Sequence, residues 1–580
     1  MKGFGSFASG HILTPLCTRP AFPRHPTDPP NLMSFAGIRL VASLAACLAV
    51  AACGGGSSSP APPGPPAPIQ PGCSLLYPVD GGLPKPGVID PRLSEQWHLP
   101  PASASGEGLG ATTVWAEGIT GAGVRVAVLD GPIESSHEDL AANVAAGAVY
   151  DYRLGTPTAP LPCTDDDWHG TAVAGVIAAS GSNGLGGAGV APSAMLALYN
   201  PISTGDSAHI ADALTRDLAL NHIYHSSWGS RDDGQLHAIA RDVELAITSG
   251  LSRGRSGRGA LYVFASGNGG CQRGPGALCA FRDMTAFDAY LNIPGVIPAC
   301  VANRQGGLPA KAEEGENLLV CGLSGGGGSL AISTTSIRHT YRSDFDGASA
   351  AAPMVSGVIA LLLSQRPDLS WRDVRLILAA SARENDPNDS SWQYTALPRP
   401  EPAAGMKRFS RKYGFGVADA AAAVAQARRW TSVGHSASLQ SCTLTSDSLA
   451  TSLPDATAPG SPTFKSNTLT ALPSSCHFDL IEMVEVTFTA DHQYSGDLRV
   501  RLTSPNGFVS ELADERLCLN SRRDADDCRP YQGWRFIANR HINEAPWGAW
   551  TLQVGDAMPG KTGRWLSWSL KLSGRTAPSQ

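Results

Sequence analysis

The sequence predicts an α/β domain built on a parallel sheet, followed by an all-β domain of the jelly-roll or sandwich kind. Three observations carry this. Between about residues 85 and 430, apolar β-like runs alternate with helix-like runs rich in small residues, the pattern of parallel strands covered by helices. From about 436 the texture changes to period-two alternation, in VEVTFTA, DLRVRLTS, GAWTLQVGD and RWLSWSLKLSG, with turn signals such as Pro505-Asn506-Gly507 between runs. At 580 residues the chain is long enough for both bodies, at roughly 100–200 residues per domain.

In chain order, the first element is an address. Residues 33–53 read MSFAGIRLVASLAACLAVAAC, with Arg39 in a short n-region and an apolar stretch from Leu40 to Ala52 the size of a signal-peptide core. The ending Val50-Ala51-Ala52-Cys53 resembles a bacterial lipobox, which implies lipidation of Cys53 as the first mature residue. Gly54 follows rather than Asp, so the usual inner-membrane retention signal of bacterial lipoproteins is missing, and an exported protein at the outer membrane, cell surface or periplasm is expected. The segment before Met33 is proline-rich and makes a poor n-region, so translation is expected to start at Met33. Residues 1–52 are thus a signal region and 53–84 a Gly/Ser- then Pro-rich tether with nothing to bury.

Composition narrows the class. The chain is 42% hydrophobic and 16% charged, which suits a sizeable core. Its 64 Gly and 44 Pro make it loop-rich, yet short of the roughly 25–30% of a low-complexity chain. A net charge of −6 without a basic stripe excludes nucleic acid as a partner. No apolar run outside the N-terminal region reads as a membrane span of ~18 residues. Of 13 Cys, Cys17 and Cys47 fall in the removed segment and Cys53 carries lipid, leaving an even number compatible with disulfides in an oxidising compartment. Proximity suggests Cys271–Cys279, Cys300–Cys321, Cys442–Cys476 and Cys518–Cys528, with Cys73–Cys163 left over; no Cys/His spacing suggests zinc.

Within the α/β body, three segments each hold one polar residue in a small-residue setting. These are Asp130 in VAVLDG, His169 in DWHGTAVAG and Ser349 in DGASAAAPMVSG. A Ser hydroxyl is a poor nucleophile at neutral pH; it needs a His to take its proton and a carboxylate to fix the His tautomer. Ser349 starts a helix, so backbone N–H groups and the helix dipole face a developing oxyanion, to which Asn268 in ASGNGG can also donate.

The Asp…His…Ser order, with HGT, SGN and GAS-AAP around those residues, resembles the subtilisin-type serine proteases, and more narrowly their kexin/furin branch. SSWGSRDDG (226–234), YVFASGNGG (262–270), LSWRDV (369–374) and KYGFGVADA (412–420) match that branch, and SGDLRVRLTSPNG with PWGAWTLQVGD resembles its P domain. The resemblance implies a peptidase domain over 85–430, a P domain over 436–574, and a calcium-dependent serine endopeptidase acting on protein and peptide substrates. It implies one Ca²⁺ site from the carboxylates of Asp90 and Asp139, the side-chain oxygen of Asn183 and the carbonyls of Ser180, Leu185 and Gly187, a donor set suited to a hard cation. A second site is implied at Asp232, Asp283 and Glu313. Asp232 and Asp288 fall at the S1 pocket, where carboxylates attract Arg or Lys; Ser227-Trp228-Gly229 would pair with substrate backbone, and Asp166 is linked to S2.

Departures from the family bear on specificity. Gly131 stands where the family has a second Asp after the catalytic one, and His209 and Thr215 replace the acids that serve S4. Cleavage after a single Arg, helped by Lys or Arg at P2, is therefore expected rather than strict multibasic cleavage. Only Gly54 to Val88 stands between lipid and catalytic domain, so either the P domain and calcium suffice for folding or a dedicated chaperone helps. Trp547, Trp550, Trp565 and Trp568 are read as core or domain interface, and the P domain as packing on the catalytic domain and stabilising it. A monomer is expected. Two other readings compete: a surface lipoprotein working through its β domain, which the intact triad disfavours, and ester hydrolysis, for which the G-x-S-x-G elbow is absent around Ser349.

Overall fold

The run RVAVL forms strand β1 (Arg125–Leu129), and Val126, Ala127, Val128 and Leu129 are all inaccessible, as a strand covered on both faces must be. Six more strands join it: β2 (Val144–Tyr150), β3 (Met195–Tyr199), β4 (Ile223–Ser226), β5 (Leu261–Ala265), β6 (Ile297–Asn303) and β7 (Val320–Ser324). They form one parallel sheet in the order β2-β3-β1-β4-β5-β6-β7. Leu129 pairs with both Tyr199 and Ser226, so β1, β3 and β4 end level, and Asp130 and Ser227 emerge side by side at the carboxyl edge, where sites form in such sheets.

The computed structural model describes residues 84–577, apart from 104–105, 271, 274–278, 326–330 and 401–404, with the backbone alone at 272–273 and 279–281. The expected signal region, the Cys53 expected to carry lipid and most of the tether lie outside these residues, and the described residues belong to one compact unit.

Among the described residues seven α-helices accompany the sheet: α1 (Ala111–Ala116), α2 (His169–Ala178), α3 (Ser207–Ala213), α4 (Arg241–Arg253), α5 (Ala348–Gln365), α6 (Trp371–Ser381) and α7 (Ala420–Arg428). α5 corrects one expectation: over its 18 residues it is apolar enough to cross a membrane, but 83% of it is buried within the domain. It is hydrophobic all round because it is the central core helix, packed on β5, β6 and β7 and against α2 and α7. α6 starts at a reciprocal cap: Ser370 Oγ accepts from the Asp373 N–H at 3.2 Å, and Asp373 Oδ2 accepts from the Ser370 N–H at 2.8 Å, worth about 1 kcal/mol.

The second body is a sandwich of two antiparallel sheets. One runs in the order β8 (Gln440–Thr445), β15 (Gly563–Arg575), β10 (Leu480–His492), β13 (Tyr531–Ile537), with Thr451–Leu453 also on β15; the other runs β9 (Lys465–Ala471), β14 (Gly548–Asp556), β11 (Leu498–Thr503), β12 (Val509–Ala513). Trp550, Trp565 and Trp568 are fully buried in its core, with Trp547 packed partly buried against it. Three of the disulfides suggested by proximity are present: Cys300–Cys321 across β6 and β7, Cys442–Cys476 and Cys518–Cys528. Cys163 is disulfide-bonded, while Cys73 and the Cys271–Cys279 pair lie outside the described side chains.

The two bodies share a buried interface. Leu236, Met284 and Phe287 of the first body belong to the core of the second. Arg372 on α6 makes a two-pronged ion pair with Glu482 on β10, Nε–Oε2 2.8 Å and Nη2–Oε1 2.6 Å, with both side chains essentially buried. Removing one partner of a buried pair strands the other charge. Arg372→Ala is therefore expected to cost about 3–5 kcal/mol in denaturant unfolding, since Glu482 keeps only Arg575, 3.6 Å away.

Candidate active site

Asp130 follows β1 and His169 opens α2, and the two meet at the sheet's carboxyl edge with Oδ1 2.8 Å from Nδ1. Asp130 is 1% exposed; its Oδ1 also accepts from the Gly131 N–H, and its Oδ2 is buried without a hydrogen-bond partner. With Nδ1 donating to the carboxylate, Nε2 is left as the acceptor that a general base needs. Burial disfavours the charged imidazole, but the Asp130 charge and hydrogen bond outweigh it, so the His169 pKa stands above its ordinary 6.5, with Arg342 opposing. The sign follows: a base must be neutral, so kcat/KM is expected to fall as pH drops through a value above 6.5. Asp130→Asn should move that acid limb downward and lower kcat by about 10⁴-fold; a pH–rate profile reads both.

Ser349 is the second residue of α5, where backbone N–H groups have no intrahelical acceptor. Its Oγ donates to the Ser227 carbonyl at 3.2 Å rather than to His169. That carbonyl belongs to the segment expected to pair with substrate, and bonds between catalytic groups commonly tighten only with substrate in place. Asn268, just beyond β5, accepts the Ala348 N–H on Oδ1 at 3.0 Å, which fixes the amide's orientation and leaves the Nδ2 donors for an oxyanion.

Ser349 and Asn268 line one pocket of about 170 Å³ together with Ser227, Trp228 and Gly229 and four acids: Asp232, Asp283, Asp288 and Glu313. Asp288 is held by the N–H groups of Ser230 and Tyr290, each at 2.8 Å, and burial pushes its carboxyl pKa up. It can approach only because residue 229 is Gly: a Cβ there would sit 2.5 Å from Asp288 Oδ2. Trp228 is fixed by its indole N–H on the Leu129 carbonyl at 2.6 Å.

Asp232, Asp283 and Glu313 form a second acidic group in the same wall. Asp283 accepts from the Gly234 and Met284 N–H groups at 2.8 Å, Glu313 from Gly269 at 2.9 Å, and Asp232 more distantly from Asn268 at 3.3 Å. Burial, then mutual repulsion, pushes Glu313 well up and Asp283 up to about 7; Asp232 is raised by burial. A Cβ at Gly269 would lie 2.6 Å from Asp232 Cβ and 2.8 Å from Asp283 Cβ, so the glycines of SGNGG make room for this cluster. Among the described residues no three His, Cys, Asp or Glu side chains are already arranged as a metal-binding set. The trio is thus a group of close acidic neighbours, and its uncompensated charge fits a divalent cation in donor type.

The other implied metal residues also come together. Asp90 accepts three N–H groups of the 182–184 turn at 2.7–2.9 Å, using part of the lone-pair capacity of its two oxygens. Asn183 donates Nδ2 to Asp139 Oδ1 at 2.7 Å and accepts the Leu185 N–H on Oδ1. Asp139 Oδ2 and Ser180 Oγ are buried without hydrogen-bond partners, and burial raises the Asp139 pKa to about 7. An orphaned carboxylate oxygen beside the Gly187 main chain fits a cation; Asn183 would present its oxygen only after an amide turn.

Asp166 is exposed three residues before His169 and does not line the pocket. His209 bonds Thr204 and packs on Tyr152, and Thr215 Oγ1 donates to the Ala211 carbonyl. Sequence reasoning missed two contributors. Arg516 of the β body donates to the Gly234 carbonyl at 2.5 Å and lies 3.8 Å over the Phe287 ring, bracing the pocket wall from 282 residues away. His225, on β4, meets Ser227 of the pocket lining through Nε2 at 2.8 Å; its one signal is a polar side chain directly after Ile223-Tyr224 in a buried strand.

The Subtilase family profile matches residues 121–416, and the Proprotein convertase P-domain profile residues 481–572. The chain is similar to protease KEX1 of Kluyveromyces lactis (34% identity, covering 84% of this chain and 61% of that protein), kexin of Saccharomyces cerevisiae (32%; 88% and 60%) and furin of Homo sapiens (31%; 80% and 55%). It spans somewhat over half the length of these relatives. The serine protease of Aeromonas sobria, solved in complex with a chaperone, aligns with a TM-score of 0.70 at 23% identity over 85% of this chain and 96% of that one, a likeness of fold.

Proposed function

The chain belongs to the subtilase family in its kexin/furin-like form with a P domain, and from that premise we propose that it is an exported, calcium-dependent serine endopeptidase cutting after Arg or Lys. The observation that supports this most is the gathering of Ser349, Asn268, Asp232 and Asp288 around one pocket, with the Asp130–His169 pair at the same sheet edge. In the proposed reaction, Ser349 Oγ attacks the scissile carbonyl carbon while His169 Nε2 takes the hydroxyl proton. Asn268 Nδ2 and the Ser349 N–H would stabilise the oxyanion. As the C–N bond breaks, the imidazolium returns its proton to the leaving amine; water, deprotonated by the same His169, then releases the acyl group.

Asp288 and Asp232 would receive the P1 guanidinium or ammonium, with Arg favoured by its planar fork. The relatives' names include kexin and furin; for this chain, with His209 and Thr215 at the S4 positions, we propose a requirement for P1 Arg with help from a basic P2. Calcium would be held by Asp90, Asp139, Asn183 and the Ser180, Leu185 and Gly187 carbonyls, and by Asp232, Asp283 and Glu313; when bound it supplies charge neutralisation of these buried acids. Adding calcium is expected to raise the melting temperature by several degrees and a chelator to reverse this, with Asp139→Ala and Asp283→Ala each blunting the response. Lipidation of Cys53 and a monomeric working form complete the proposal; mass analysis of the mature N-terminus tests the first.

The test of function is hydrolysis of a peptide panel varied at P1 and P2 by the mature chain. Cleavage after Arg, enhanced by a basic P2 and lost with Ser349→Ala, supports the reading. Equal cleavage after Phe and Arg sinks the proposed pocket.

A further inference from the structure

His225 lies on β4 with no exposed surface, and both of its ring nitrogens are engaged: Nδ1 is 2.9 Å from Ser356 Oγ and Nε2 is 2.8 Å from Ser227 Oγ. Ser227 Oγ in turn donates to the Ser349 carbonyl at 3.1 Å, and Ser349 Oγ donates back to the Ser227 carbonyl. The hydrogens can be assigned by counting. A carbonyl only accepts, so the single hydroxyl proton of Ser227 is committed to Ser349. His225 Nε2 must then carry a proton and donate to Ser227 Oγ. Burial holds the ring neutral, its pKa pushed down to about 3, so Nδ1 accepts and the Ser356 hydroxyl donates. The three donors run in one direction, toward Ser349.

The Ser349 carbonyl needs an outside donor for a reason written in α5. In a helix that carbonyl should accept the N–H four residues on, but residue 353 is Pro, which has none. The Ser227 hydroxyl fills the gap. Ser356, seven residues after Ser349 and so on the same helix face, is the second point at which the chain of bonds grips α5.

We propose that His225 is a positioning residue for the nucleophile: acting through Ser227, it fixes the first turn of α5 and with it the setting of Ser349. This rests on the reading of Ser349 as nucleophile. It predicts a defect in reactivity rather than in substrate binding, and one that depends on Ser227.

The test compares wild type, His225→Phe (a ring without nitrogens) and His225→Gln (an amide that keeps a donor and an acceptor), each also with Ser227→Ala. The readouts are kcat and KM on an arginyl peptide and the rate at which an arginyl phosphonate labels Ser349. His225→Phe is expected to lower kcat and labelling about tenfold with KM within about twofold, a barrier change of about 1.4 kcal/mol. His225→Gln should recover most of the loss, and His225→Phe should add nothing on the Ser227→Ala background. A loss confined to KM, wild-type behaviour of His225→Phe, or the same loss repeated without the Ser227 hydroxyl overturns the proposal. Should His225→Phe fail to fold, Ser356→Ala is read the same way: a kcat loss absent from the Ser227→Ala background supports it, and no loss overturns it. A folded wild type that takes no phosphonate on Ser349 removes the nucleophile reading itself; a labelled wild type matched by His225→Phe removes only the positioning role.

Discussion

Ser349→Ala is expected to lower kcat by about a millionfold while leaving KM and the melting temperature nearly unchanged. The size follows from what the hydroxyl does. Without Oγ no acyl-enzyme can form, and His169 has no proton to take, so the Asp130–His169 pair has no reaction to assist. What persists is the oxyanion donors and the bound substrate, which still favour attack by water over the uncatalysed reaction by about 10³–10⁴-fold. The fold should not suffer: Oγ makes one hydrogen bond, to the Ser227 carbonyl, and Ala is a better helix former than Ser. Steady-state kinetics with a melting curve on the same preparation check both halves.

Asp288→Ala carries the second large effect. The carboxylate is half-buried in the pocket and braced by Ser230 and Tyr290, so a P1 cation that meets it there loses water and, without Asp288, keeps only Asp232 of its two proposed partners. Truncating one partner of a buried charge pair typically costs about 2–5 kcal/mol, so kcat/KM for P1 Arg should fall roughly 30- to several-thousandfold. A peptide with neutral P1 should change little. Asp288 is preferable to Asp232 for this test because Asp232 also belongs to the acidic trio with Asp283 and Glu313, where substitution would confound pocket and cation effects. An equal fall for Arg and neutral P1 would mean that Asp288 shapes the wall without reading charge.

Much of this architecture was legible because it is local. RVAVL reads as a doubly buried strand from five residues, the α5 run shows its small and apolar side chains all round, and three of the four period-two runs of the P domain match their strands within a residue, while VEVTFTA covers only the middle of Leu480–His492. Nothing in the sequence says why SGNGG and SWG carry glycines; the structure answers with Asp232, Asp283 and Asp288, whose side chains occupy the space a Cβ would need. Hidden from sequence were contacts whose partners lie far apart. Ser227 reaches the Ser349 carbonyl across 122 residues, and no pattern in HSSW announces that Pro353 has left that carbonyl without a donor. Arg516 reads as one cation in a loop of the P domain until folding lays it under Gly234 and Phe287. The orientation of Asn183, donating to Asp139, depends on the surrounding network and has no signature in SNGLGG.

On this mechanism Ser349 becomes covalently bonded to the acyl half of a substrate held by its Arg in the acidic pocket. Treating the folded, calcium-supplied mature chain with matched arginyl and phenylalanyl phosphonates, and locating the adduct by peptide mass, tests this bond. One adduct is expected, on the peptide carrying Ser349, formed rapidly by the arginyl reagent, slowly by the phenylalanyl one, and not at all in Ser349→Ala. An adduct on another residue, equal labelling by both reagents, or a folded chain that takes neither would contradict it.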